Sequence, residues 1–162
     1  MEDYLLSGEN LIETKSANFL LRLDENELRR FGVFGADAEM RLLGLGAGKE
    51  SIGGKLYLTN FRLFFHSHSV NRFTGSLSIF LPKIVETKNT SGLITKILEV
   101  VTLDRSFEFI AWGVPKFMVA VIAARDSLSP QQTEDLRVAV RDSPEKCGDG
   151  LKVFPTDLFV RF

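Results

Sequence analysis

The stretch from Gly53 to His68, GGKLYLTNFRLFFHSH, constrains the fold more than any other part of the chain. Leu56 and Leu58, then Leu63 and Phe65, alternate along two short runs; Tyr57, Phe61 and Phe64 fill between them, and Thr59-Asn60 interrupts. Side chains of a strand point to opposite faces in turn. Bulky residues at period two around a turn former therefore predict two antiparallel strands joined by a tight corner. Asn60 is the natural corner, because Asn tolerates backbone conformations that most residues avoid. Gly53-Gly54 lets the chain enter the sheet without a side-chain clash.

The rest of the chain reads as further short strands. Ser7-Gly8-Glu9-Asn10 is a turn, and Leu11 to Arg22 is strand-like, with Ile12 and Phe19-Leu20-Leu21 as buried candidates. Residues 24–32 fit one or two helical turns, opened by Asp24 and closed by Gly32, or a loop; Met40 to Leu45 fits a short strand. After the hairpin, a polar loop from Ser69 to Ser76 leads to a strand over Leu77 to Leu81, stopped by Pro82. Lys83 to Lys88 alternates again, with Ile84 and Glu86 on opposite faces.

Asn89-Thr90-Ser91-Gly92 is a turn, and Lys96 to Leu103 and Ser106 to Trp112 are two more strands. Pro115 then opens a helix whose Phe117, Val121 and Ala124 recur at helical spacing. Pro130 to Asp142 is a second helix candidate with sparse apolar positions, Leu136, Val138 and Val140. Six or seven short strands followed by an amphipathic helix predict a mainly β, antiparallel barrel or sandwich closed by a C-terminal helix. The segment Leu151 to Phe162 is apolar enough to dock on the body or to serve as a binding segment. Phe154, Leu158 and Phe159 are its candidate partner-binding residues.

Composition narrows the class of function. A net charge of −1 argues against a dedicated nucleic-acid binder, which carries a basic excess. A single cysteine, Cys147, rules out an internal disulfide and fits a reducing compartment. The opening MEDYLLSGEN lacks the charged-then-apolar pattern of a secretory signal. The longest apolar run, Phe117 to Ala124, is far short of the ~20 residues of a spanning helix. The expectation is a cytoplasmic protein that touches a membrane only from its surface.

Residues 53–65, GGKLYLTNFRLFF, resemble the characteristic hairpin of the GRAM domain, and Leu6 to Ile12 resembles the opening of that family. Leu77 to Lys88 resembles its next segment. The resemblance spans residues 5–126, leaving 127–162 as a C-terminal helix and tail, with residues 24–52 as a longer insertion than the family carries. It implies a pleckstrin-homology-like fold of seven antiparallel strands in a bent barrel closed by a helix. It also implies a non-catalytic module linked to phosphoinositides, phosphatidylserine or protein partners. The cations matching the family's first-hairpin region, Lys15, Arg22, Arg29, Arg30 and Lys49, are interleaved with Glu13, Asp24, Glu25 and Glu27, so no phosphoinositide pocket is carried over.

Other chemistry is weakly supported. Gly44, Gly46, Gly48 and Lys49 miss the phosphate-loop pattern, with Leu43 in place of its first glycine and Glu50 in place of its metal-binding hydroxyl. His66 and His68 share a strand face but have no cysteine and few acidic neighbours in sequence to complete a metal site. No nucleophile–base set or paired-carboxylate spacing is visible, so neither catalysis nor a cofactor is expected.

Charge patterning says more. Between Gly53 and Lys96, Lys55, Arg62, Arg72, Lys83, Lys88 and Lys96 face only Glu86. This is either a solvated rim of strand-end cations or a face for anionic lipid, to which Lys55, Arg62, Arg72, Lys83 and Lys88 would contribute. A protein-interaction module using a sheet edge or the apolar tail is the alternative.

Overall fold

The computed structural model describes residues 2–22, 49–92, 94–153 and 159–161. The predicted hairpin is present as β2 (Lys49–Thr59) and β3 (Arg62–Ser67), with Leu56, Leu58, Leu63 and Phe65 all fully buried on the inner face. Gly54 has a specific reason to be glycine. A Cβ there would overlap the His66 carbonyl oxygen and lie 2.6 Å from the Phe65 ring.

The other strands are β1 (Leu11–Arg22), β4 (Phe73–Phe80), β5 (Ile84–Asn89), β6 (Ile97–Thr102), β7 (Ser106–Ala111), β8 (Asp149–Val153) and β9 (Phe159–Arg161). They form one antiparallel sheet in the order β5-β6-β7-β1-β2-β3-β4-β8-β9. Seven strands followed by the helix α1 (Val114–Asp126) give the pleckstrin-homology-like arrangement. Val114, Phe117, Val121 and Ala124 of α1 plug the main core, as their spacing predicts. Arg125 of α1 donates to the carbonyls of Ile84 and Val85 at the start of β5.

The hydrogen-bonded wall does not close on itself. Pro82, in a 3-10 turn over Leu81–Lys83, cannot donate to a ladder, and the free edge of β4 is taken by β8 instead of β5. The tail is therefore docked over 149–153. The loop expected from Ser69 to Ser76 is shorter, because β4 begins at Phe73. A bulge in β5 interrupts the alternation expected there, so that Ile84 and Thr87 point inward.

β1 and β2 stay paired out to Arg22 opposite Lys49, so residues 49–52 of the stretch expected as an insertion lie on β2. The elements expected within 24–48 lie outside the described residues.

The second helix, α2 (Pro130–Asp142), begins with a capping box between Ser129 and Gln132. It buries Leu136 and Ala139 against Leu6 and Phe61, forming a second small core with Phe80, Leu128 and Cys147 on the outer side of the sheet.

Candidate functional site

Of the five residues expected to face lipid, Arg62 is the clear exception. Outer-face positions of β3 are covered by the N-terminal segment and by the 3-10 turn Pro144–Cys147, so Arg62 is sealed inside. Its Nε donates to Glu9 Oε1 at 2.8 Å and its Nη2 to Glu9 Oε2 at 2.9 Å. Nη2 also donates to the Tyr4 carbonyl at 2.6 Å, and Nη1 to Ser78 Oγ and the Lys146 carbonyl, both at 2.8 Å. All five N–H donors of the guanidinium are thereby used. Glu9 is as well served, accepting from the Leu6 amide at 2.7 Å and the Thr59 hydroxyl at 2.8 Å. A buried cation with every donor satisfied is a structural node and has nothing left to offer a membrane.

The other four reach solvent at separate places along the sheet. Lys55 is exposed on β2, and Lys83 is exposed in the turn after β4. Lys88 on β5 is paired with Glu86 at 3.3 Å, and three strands lie between β5 and β2 in the sheet order. Arg72, before β4, lies 3.6 Å from Glu50 and stacks over Phe73.

Arg72 belongs to a string of charges at the end of the sheet where β1 and β2 part. Glu50 and Lys49 are neighbours there, Lys49 is ion-paired with Glu108 of β7, and Arg22 lies 3.6 Å from that carboxylate. Burial raises the Glu50 carboxyl above its ordinary pKa, and Arg72 opposes the rise. Lys49 and Glu50 are strand residues in ion pairs, which removes them from any phosphate loop.

The two histidines part company. The His66 ring packs 5.0 Å from Tyr4 and stacks on Phe64, whereas His68 is exposed beyond the strand, beside Gly53. Burial lowers the His66 pKa, with smaller contributions from the chain's N-terminus and His68. Cys147 packs on the second core, and burial raises its thiol pKa, which leaves it a poor nucleophile.

A groove of 530 Å³ runs between α2 and the β2–β3 corner. Phe61, Val138 and Ala139 line it, with Asp135, Asp142 and Asn10 among its polar groups. Asn60 fixes its wall: the side chain accepts from the Asn10 amide at 2.6 Å and donates to the Gly8 carbonyl at 3.1 Å. Phe154 and Leu158 lie outside the described residues, and Phe159 falls on β9, which pairs with β8.

Exposed apolar groups form a different set from any that periodicity suggested. Trp112, expected as the last residue of a strand, lies one residue past β7 and is 80% exposed. Ile94 and Val119 are also open to solvent. The available sequence signal was a lone Trp set against Gly-Val-Pro, where the alternating pattern stops. No helix among the described residues is long and apolar enough to cross a membrane.

No family model matches this sequence, and neither does any curated protein. Solved structures similar in shape include the following two. One is the N-terminal PH domain of Vps36, with a TM-score of 0.49 and 17% identity, covering 75% of this chain and 83% of that one. The other is the C-terminal domain of an unknown protein from Leishmania infantum, with a TM-score of 0.48 and 14% identity, covering 74% and 86%. What the strand order and the helix after β7 establish is a mainly β, pleckstrin-homology-like fold.

Proposed function

We propose that the chain is a GRAM-type, non-catalytic binding module that docks peripherally on anionic membrane surfaces. The observation that carries this reading is the charge asymmetry of residues 53–96. With Arg62 removed to the interior, Lys55, Lys83, Lys88 and Lys96 remain exposed and Arg72 half-buried, and Glu86 is the sole carboxylate of that stretch. Each exposed cation near an anionic bilayer contributes roughly 1 kcal/mol, so several weak charges give reversible binding. The test is co-sedimentation with phosphatidylcholine vesicles with and without phosphatidylserine. Binding is expected only to the anionic vesicles and should fade as salt rises, because exposed charges are screened beyond ~10 Å at 0.1 M. Equal binding to neutral vesicles, or none to either, overturns it.

A second reading, docking of a protein partner without lipid, is favoured by the groove beside α2. Its apolar floor and its carboxylates, Asp135 and Asp142, suit a segment carrying both apolar and basic side chains.

A further inference from the structure

The strand register brings together two segments far apart in sequence. The Ala111 amide donates to the Lys96 carbonyl at 3.1 Å, so the β5–β6 connection and the β7–α1 junction leave the sheet side by side. Gly113, in the left-handed region at φ 69°, turns the chain sharply from β7 into α1 and leaves Trp112 outside both elements. Trp112 is 80% exposed, Ile94 on the adjoining connection 77%, and Val119 on the outer side of α1 69%.

This corner is held in shape. The Thr90 amide donates to the Ile97 carbonyl at 3.1 Å and the Gly92 amide to the Thr95 carbonyl at 2.9 Å. Ser91 Oγ accepts from the Ile97 amide at 2.9 Å. An apolar tip presented by a braced turn loses little freedom when it is covered.

Its charge is one-sided. Lys96 and Lys116 are exposed beside the apolar groups, and neither segment 90–96 nor segment 112–119 contains an Asp or Glu. Lys15 comes up beneath the junction, its Nζ 5.5 Å from the Phe117 ring centre, though it is shared with Glu13 at 2.8 Å. Lys88 stands on β5 just before the connection begins. Glu86 and Glu99 lie on the strands behind it, on β5 and β6.

A large aromatic left in water costs hydration free energy, and an indole among lysines matches the boundary of an anionic bilayer. There the ring sits among headgroups and acyl carbons while the ammonium groups meet phosphate. We infer that this corner enters the membrane interface, with Trp112 and Ile94 in the headgroup–acyl boundary and Lys96 and Lys116 on lipid phosphates. The inference rests on the membrane reading above and adds the face by which the module docks. Of the five cations expected from the sequence to face lipid, only Lys88 lies towards this corner; Lys55, Lys83 and Arg72 would act at longer range.

The chain has one tryptophan, so its fluorescence reports on this corner alone. The full chain is mixed with vesicles of 70:30 phosphatidylcholine–phosphatidylserine and of phosphatidylcholine alone, and both sedimentation and emission are read. Anionic vesicles should shift the emission to shorter wavelength, and acyl-brominated lipid should quench it. Trp112→Ala should lower partitioning about tenfold or more, the loss of one buried aromatic side chain. The double variant Lys96→Glu, Lys116→Glu should abolish the shift, and circular dichroism should confirm that both proteins are folded.

Sedimentation with anionic vesicles but an unshifted emission, or unchanged binding by Trp112→Ala, overturns the inference and leaves the membrane reading standing. The second of those results is also what a protein contact at Trp112 would give. An equal emission shift with neutral vesicles, or no sedimentation with either kind, overturns both.

Discussion

The Arg62 guanidinium and the Glu9 carboxylate meet 2.8 Å apart, with neither side chain exposed to solvent. The pair joins three parts of the chain, because Arg62 also holds the carbonyls of Tyr4 and Lys146. The turn before β1 and the segment after α2 are thus fastened to one position on β3. Removing either charge strands the other in a dry interior, so Arg62→Ala or Glu9→Ala should cost about 3–5 kcal/mol in urea unfolding. The double change Arg62→Met, Glu9→Gln should cost less than the sum of the two single losses. A single-variant loss under about 1 kcal/mol, the size of an exposed pair, would contradict the account.

Gly54 should be intolerant of even one methyl group. The Cβ of Gly54→Ala would overlap the His66 carbonyl and crowd the Phe65 ring, and neither can move without disturbing the β2–β3 ladder. Thermal unfolding should show a loss of about 1–3 kcal/mol, typical of an overpacked core. Gly53→Ala should be far milder, since a Cβ there meets only ordinary contacts at 3.6 Å and beyond.

Docking of α2 can be measured at Leu136. Truncation to Ala empties the centre of the small core formed with Leu6 and Phe61, at a cost of about 2–5 kcal/mol. Val138→Ala, which faces the groove from a part-exposed position, should change stability by less than about 0.5 kcal/mol. Similar losses at both positions would mean that α2 is not seated as described.

Stability should fall on mild acidification because of His66. Burial holds its pKa below the ordinary imidazole value of 6.5, so the unfolded chain takes up a proton more readily than the folded one. The stabilising effect of a neutral, packed ring is complete above pH 6.5 and is lost as pH falls from there through the lower folded value. Melting temperatures between pH 7.5 and 5 should show this slope. In His66→Phe, which keeps a ring against Tyr4 and Phe64, the slope should flatten; an unchanged slope would assign it to other groups.

Much of the fold was written in periodicity. Leu56, Leu58, Leu63 and Phe65 are buried as their alternation required, and Phe117, Val121 and Ala124 face the core as helical spacing required. These patterns are legible because a strand or helix forces its side chains onto faces at a fixed interval, whatever the rest of the chain does. The extra strand β8, and the open seam between β4 and β5, carry no such local mark. Which edge pairs with which is settled by the competition between distant segments for the same donors.

The fate of each charge belonged to tertiary structure alone. In the sequence, Arg62 and Lys55 are two cations on the same hairpin; in the fold one is buried with all its donors met and the other faces water. The difference is made by Glu9, Tyr4 and Lys146, which are remote along the chain and arrive only when the N-terminal turn and the segment after α2 cover the outer face of β3. Trp112 shows the converse. It was expected at the end of a strand, and the left-handed turn at Gly113 leaves it past β7 and in solvent. Local spacing determined which residues share a face; the desolvation of a charge or an aromatic ring depends on what the rest of the molecule lays over that face, and only the folded chain supplies it.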